Sequence, residues 1–387
     1  MSTYRENQGY RIKKVNTDPA NPKEGQIWYN NISKQIKVRT ELLAAWASGG
    51  NLNLARRGAG SATSGTQTAA LAFGGTPPPN GSTLSEEYNG SSWSEGNDIG
   101  TGRTGLAGAG SQTAGLGFGG EATGSKTGAT EEYDGTSWTE QNDLSTTRAA
   151  LAGAGTQTAG LAFGGVAPGG DTNATEEYDG SSWTAGGNLG TAKRSLSGAG
   201  TQTAGLGFGG ATYPPLTVLN ATEEYNGTAW TAGGNLGTAR YNLAGCGTQT
   251  AALGFGGQPP NTGATESYNG TSWTEVNDLS ARNGMGSTGT QTSAIAFGGE
   301  GSAPNPKNLT ELWNGSNWTE VNNLNSASKY RGGSGTDSTA ALAFAGIGPD
   351  NASDFANTEI WNGTNWTEVN DMNEAKHNLT GSGTSTA

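Results

Sequence analysis

The sequence predicts an all-β chain: a seven-bladed β-propeller of four-stranded blades over residues 46–387, behind a short N-terminal hairpin arm over residues 1–45. Three observations predict it. A Phe recurs at positions 73, 118, 163, 208, 255, 297 and 344, and the first six are each followed by Gly-Gly. Every unit then carries an aromatic residue with a Trp five residues later: Tyr88 and Trp93, Tyr133 and Trp138, Tyr178 and Trp183, Tyr225 and Trp230, Tyr268 and Trp273, Trp313 and Trp318, Trp361 and Trp366. The chain holds 67 glycines and only 14% charged residues, a composition for tight turns and closely packed strands. A period of roughly 45 residues with several short strands per unit is the signature of a propeller. One four-stranded unit cannot bury both faces of its sheet, whereas seven packed face to face in a ring can.

The arm comes first. Within "DPANPKEGQIWYNNISKQIKVR" (Asp18–Arg39), "GQIWYN" and "KQIKVR" alternate apolar and polar residues on either side of a polar turn at Asn31–Ser33, which predicts a hairpin. Trp28, Tyr29 and Arg39 are its candidate anchoring residues. The following "TELLAAWA" (Thr40–Ala47) is the one stretch where a helix is indicated.

Each blade then reads as four strands. The first is small, as in "LAGAG" at Leu151–Gly155, and suits the crowded ring centre. A "TQT" turn leads to the second, "GLAFGG". A variable segment and the third strand, "ATEEY", follow. A two-residue Asn-Gly or Asp-Gly turn comes next, because both residues tolerate positive φ. The fourth strand carries the Trp. Phe118, Tyr133, Trp138, Phe163, Tyr178, Trp183, Phe208, Tyr225 and Trp230, with their counterparts, are expected to fill the space between neighbouring blades.

A basic residue follows each Trp: Arg103, Arg148, Lys193, Arg240, Arg282, Lys329 and Lys376. A Glu stands two residues before each Tyr or its Trp counterpart: Glu86, Glu131, Glu176, Glu223, Glu266, Glu311 and Glu359. A catalytic carboxylate pair would be singular, so seven copies point to structural ion pairs between the third strand and an interblade link.

Only the interval from Phe to Tyr or Trp varies freely, from 13 to 17 residues, so it is a loop whose length the core does not sense. In an up-and-down blade this loop and the interblade link lie on one face of the disc, opposite the short turns. The loops carry Pro78, Asn80, Tyr213, Pro214, Pro215, Pro259, Pro260, Pro304, Asp350 and Phe355, the candidate residues of a binding face. Unconstrained drift is the competing reading. The ends of the ring overlap in phase, since Trp46–Ala69 matches Trp366–Ala387. The expected closure has "LTGSGTSTA" at the C-terminus join the first blade and displace residues 58–66, with a partial eighth blade as the alternative.

The double glycine after the second strand, the Tyr before a turn, the Trp after it and the basic residue entering the next unit resemble the kelch repeat, over about residues 46–387. "GQIWYN" resembles a module that begins many virion proteins of tailed bacteriophages. That resemblance implies anchoring of residues 1–45 to other virion proteins, assembly in a host cytoplasm, and a propeller projecting toward a host-surface glycan or protein. "YDGTSW" is similar to the Asp-box turn of sialidase-type propellers, one residue short of it, and such boxes are structural turns.

Charge and composition exclude several functions. Residues 1–57 carry a formal charge of +6 and the remainder −18, and an acidic body argues against nucleic-acid binding. One His, His377, and one Cys, Cys246, in a slot that is Ala in sister units, supply neither a His-rich metal site nor a disulfide. No cofactor, metal or enzymatic activity is expected. Acidic loop residues such as Asp350 and Asp354 lack an ordered Ca²⁺-ligand spacing. The first residues contain no apolar run, so neither a secretory signal nor membrane insertion is expected.

Overall fold

A computed structural model describes residues 57–369 except 62–65, 67, 77–80, 91, 303–305, 345 and 349–357; towards the N-terminus it describes 13–15, 27–30 and 34–38. The chain divides into two compact units, Met1–Ala47 and Ser48–Ala387. In the first, Ile27–Asn30 pairs antiparallel with Gln35–Val38, the hairpin read from "GQIWYN" and "KQIKVR". Lys13–Val15 adds a parallel third strand on Ile27–Asn30 that the sequence reading missed. Trp28 and Tyr29 lie in the central strand. Arg39 and the helix indicated at Thr40–Ala47 fall outside the described residues.

The second unit is a ring of seven four-stranded antiparallel blades, and no helix occurs among the described residues. Blade three is typical. Ala152–Thr156 is innermost, followed by Ala159–Phe163, Thr175–Tyr178 and the outer Trp183–Ala185. The inner strands of consecutive blades pack against one another around the centre. Glycine there is a steric requirement: a Cβ on Gly153 would lie 2.8 Å from the Phe118 ring of the preceding blade.

Aromatic rings join blade to blade. Each Phe stacks on the Trp of the next unit: Phe73 on Trp138, Phe118 on Trp183, Phe163 on Trp230, Phe208 on Trp273, Phe255 on Trp318 and Phe297 on Trp366. Phe344 of blade seven meets Trp93 of blade one at 5.5 Å between centroids, which closes the ring. The Phe and Tyr side chains are fully buried, and Trp138, Trp183 and Trp230 are half-buried. Trp183 and Trp230 donate their indole N–H to Thr130 and Thr175 of the preceding blade at 2.9 and 2.8 Å, whereas the Trp93 and Trp138 indole N–H groups are buried without a partner.

Three expectations need correction. Residues 57–61 are not displaced at closure; Arg57–Ser61 is itself the inner strand of blade one. Its register is two residues longer than in blades two to six, since Gly60 opposes Phe73 whereas Ala107 opposes Phe118. The C-terminal "LTGSGTSTA" and Lys376 lie outside the described residues. The Asn-Gly and Asp-Gly turns are four-residue loops, not two-residue ones. Tyr133 pairs with Trp138, and Asp134 keeps a negative φ while Gly135 takes φ +89°. Asp134 Oδ1 accepts the backbone N–H groups of Thr136 and Ser137, both at 2.8 Å, so a side-chain cap replaces the second positive φ.

The third correction concerns blade seven. The link residue is recognised by its carbonyl, which accepts from the second glycine of the preceding blade: Gly120 to Arg148, Gly165 to Lys193, Gly210 to Arg240. By that test the residue entering blade seven is Ser328, bonded by Gly299, and not Lys329. Arg331 supplies the missing charge from the slot that holds a Leu in blades two to five, and its Nη1 lies 3.1 Å from Glu359. Its Nε is bonded to Ser328 Oγ. An irregularity in the inner strand between Gly335 and Asp337 absorbs the extra residue. The spacing from each basic residue to the next Phe, fifteen residues from Arg103 to Phe118 and again from Lys329 to Phe344, concealed this shift.

Candidate binding face

The repeated charges form the structural set expected of them. Arg103–Glu131, Arg148–Glu176, Lys193–Glu223, Arg240–Glu266 and Arg282–Glu311 are ion pairs with the basic side chain fully buried. Each basic residue is bonded through its carbonyl to the blade it leaves and through its side chain to the blade it enters. Burial away from water lowers the Arg103 and Arg148 guanidinium pKa to about 10, even with the carboxylate opposing that effect. The Nη groups also donate to backbone carbonyls, as from Arg148 to Ala174 and Ala162, whereas the Nε of Arg103, Arg148, Arg240 and Arg282 is buried without a hydrogen-bond partner. The carboxylates accept backbone N–H groups as well, Ser145 to Glu176 at 2.6 Å for instance. These groups are committed to holding the ring and are not poised for chemistry. Glu86 is fully buried, and its expected partner Lys376 is outside the described residues.

Two further interblade bonds were not read from the sequence. The Gln of each "TQT" is more than a turn residue: Gln157 Nε2 donates to Gly115 O at 3.2 Å and Tyr133 O at 2.7 Å in the preceding blade. Gln112, Gln202, Gln249 and Gln291 repeat the pattern. The recurrence of Gln in this turn, as "TQT" or, at Ser111–Thr113, "SQT", was the available signal. The Tyr hydroxyl is the second. Tyr225 and Tyr268 donate to Glu177 and Glu224 of the preceding blade, and burial, together with that hydrogen bond, raises each phenol pKa. Where the aromatic residue becomes Trp313 or Trp361, the preceding blade offers Ser267 or Leu312 in place of Glu. At closure Tyr88 meets the blade of Ile360; its hydroxyl has no partner and its pKa rises to about 12 through burial.

The variable loops and interblade links lie on one face, as expected. Thr104, Ala149, Arg194, Tyr241 and Lys329 in the links pair in antiparallel bridges with Glu121, Val166, Ala211, Gln258 and Ile347 at the loop starts. Three loops fold into small hairpins, Glu121–Ala122 with Ser125–Lys126, Val166–Ala167 with Gly170–Asp171, and Ala211–Thr212 with Thr217–Val218. Of the candidate residues, Tyr213, Pro214, Pro215, Pro259 and Pro260 are exposed on this face. Pro78, Asn80, Pro304, Asp350 and Phe355 lie outside the described residues.

The tip of the blade-four hairpin is chemically distinct. Tyr213 (57% exposed) and Leu216 (53%) are the exposed large hydrophobic residues among those described, and Pro214 and Pro215 lie exposed between them. The tip is tied down from blade three. Asp171 accepts the Tyr213 backbone N–H through one carboxylate oxygen and Arg194 Nε through the other. The Arg194 guanidinium also lies 5.5 Å from the Tyr213 ring centroid. Elsewhere on the face, Lys329 is paired with Glu300 at 2.8 Å beside Tyr330. An open groove of about 750 Å³ lies between blades five and six, lined by Glu275–Asp278, Gly315 and Ser316. Asn277 there spends its amide on Ser316 O, so the groove belongs to the interblade packing.

Cys246 is buried, and burial lifts its thiol pKa to about 12, which leaves it unreactive. Among the described residues no three His, Cys, Asp or Glu side chains converge as a metal site, and no helix is long and apolar enough to cross a membrane. No protein-family model and no curated protein matches the chain. A solved structure described as "Structure of YjhT" is similar, with a TM-score of 0.51 at 12% identity, covering 68% of this chain and 96% of that one. At that identity the likeness bears on architecture alone, and it agrees with a propeller.

Proposed function

We propose that this chain is a non-enzymatic, kelch-like propeller of a tailed-bacteriophage virion. The basic N-terminal unit anchors it to other virion proteins, and the loop face presents a receptor-binding surface to a host-cell glycan or protein. The observation that carries this reading is the division of labour. A basic arm with the "GQIWYN" hairpin precedes an acidic ring whose turn face is repetitive and whose loop face holds the variation. The commitment of the repeated Glu and Arg side chains to buried pairs supports a binding role over catalysis. Neither nucleic acid nor membrane insertion has a part in it, and the protein works in the assembled virion. The test is deletion of residues 1–40. The truncated ring stays folded but drops out of particles; normal incorporation of the truncated protein overturns the reading.

A further inference from the structure

Three hairpins of the same build stand side by side on the loop faces of blades two, three and four, so each serves as a control for the others. Between their paired strands the first turns through Thr123-Gly124 and the second through Pro168-Gly169. The third turns through Tyr213-Pro214-Pro215-Leu216, two residues longer and strongly apolar. The ring does not need this difference, since the blades beneath share one register from inner to outer strand. Water does not favour it either, because exposed Tyr and Leu side chains gain nothing there. Two prolines fix much of the backbone in advance and lower the ordering cost of binding. Asp171 and Arg194 hold the tip against the neighbouring blade.

We propose that Tyr213, backed by Leu216, is a stacking platform for one ring of a neutral sugar, with Arg194 donating to its hydroxyls; this rests on the receptor-binding reading above. Size, chemistry and charge argue for that occupant. A stable protein interface covers about 800 Å² per partner around a buried aromatic cluster, whereas this tip presents one aromatic ring, one Leu and two prolines. A pyranose offers an apolar C–H face that matches one ring and a rim of hydroxyls that needs donors. Arg194 uses Nε on Asp171, is 30% exposed and stands 5.5 Å from the Tyr213 ring centroid, which puts its Nη donors next to the platform. Asp171 cancels the Arg194 charge, and the body carries −18 beyond residue 57, so an acidic sugar gains no attraction and meets a repelling field.

The test uses the full chain, fluorescently labelled, on an array of neutral and acidic oligosaccharides. Two variants accompany it: Tyr213→Ala, and a graft of the blade-three hairpin Val166–Asp171 in place of Ala211–Val218. The ring already carries that hairpin one blade away, so the graft folds, and an unchanged melting temperature verifies it. The wild type binds neutral glycans, and both variants bind them at least about tenfold more weakly. Neutral binding that survives both variants overturns the site while leaving the receptor reading in place. Binding confined to acidic glycans, or no glycan binding, overturns the sugar assignment. The virion reading is decided independently by particle incorporation of the truncated chain.

Discussion

Replacing Arg148 by Met removes the positive member of one buried pair and most directly tests how the ring is held. The guanidinium is fully buried, as is the Glu176 carboxylate at 1% exposure, and they approach to 3.2 Å. In R148M, Glu176 keeps the Ser145 N–H at 2.6 Å, the Ser145 hydroxyl at 2.7 Å and the Thr146 N–H at 3.2 Å, but loses its counter-charge. The carbonyls of Ala162 and Ala174 lose the guanidinium donors at the same time, Ala174 keeping the Gly164 N–H. Breaking a buried pair from one side costs about 3–5 kcal/mol, because an uncompensated charge stays in a poorly polarisable interior. In E176Q it is Arg148 that remains buried without its counter-charge, at a similar cost. The double variant R148M/E176Q contains neither charge. It is expected to lose about 5 kcal/mol, well short of the sum of the singles, which gives a coupling of about 3 kcal/mol. Urea unfolding followed by tryptophan fluorescence reads this as a shift in midpoint at constant slope. A loss below about 1 kcal/mol for R148M, or strictly additive losses, would refute the claim that these pairs splice blade to blade.

The remaining predictions rest on the same interblade contacts. In blade seven, Arg331→Leu alone costs about 3–5 kcal/mol by stranding Glu359, whereas Ser328→Arg added to it recovers most of that by restoring the arrangement of the other blades; a double variant no better than the single sinks the assignment of Ser328 to the link position. Gln157→Ala removes two bonds to blade two and lowers stability by about 1–2 kcal/mol, measured by the same unfolding experiment. Tyr88→Phe is neutral or stabilising, because its hydroxyl is buried without a partner; Tyr225→Phe destabilises by about 1–2 kcal/mol, because Glu177 loses its donor. Backbone N–H groups of the turn hold the Asp134 and Asp179 carboxyls below their ordinary 3.8. A depressed folded value contributes stability above the unfolded value that is lost as pH falls through the folded one. The double variant D134N/D179N, which uses the residue found in the other five turns, therefore flattens the acid side of a melting-temperature profile; an unchanged profile contradicts the turn geometry.

What the sequence by itself determined is periodic. Phe, Tyr and Trp recur because each must meet the same neighbour seven times, so their spacing alone specified four-stranded blades, their number, the interblade position of the rings and the face on which loops could vary. The Glu and Arg sets were legible as structural for the same reason, and the exposed Tyr213, Pro214 and Pro215 stood out by breaking the pattern. The tertiary structure decided everything that depends on which partner a group finds. Spacing counts residues along the chain and is blind to a one-residue slip that a compensating irregularity hides, so Lys329 looked like the link residue where Ser328 and Arg331 divide its role. The contact of Phe344 with Trp93 at closure, the reach of each "TQT" Gln into the preceding blade and the tether of Asp171 on Tyr213 join residues far apart in sequence. Their strength comes from donors and acceptors brought within hydrogen-bond distance away from water, a condition that only the assembled ring creates.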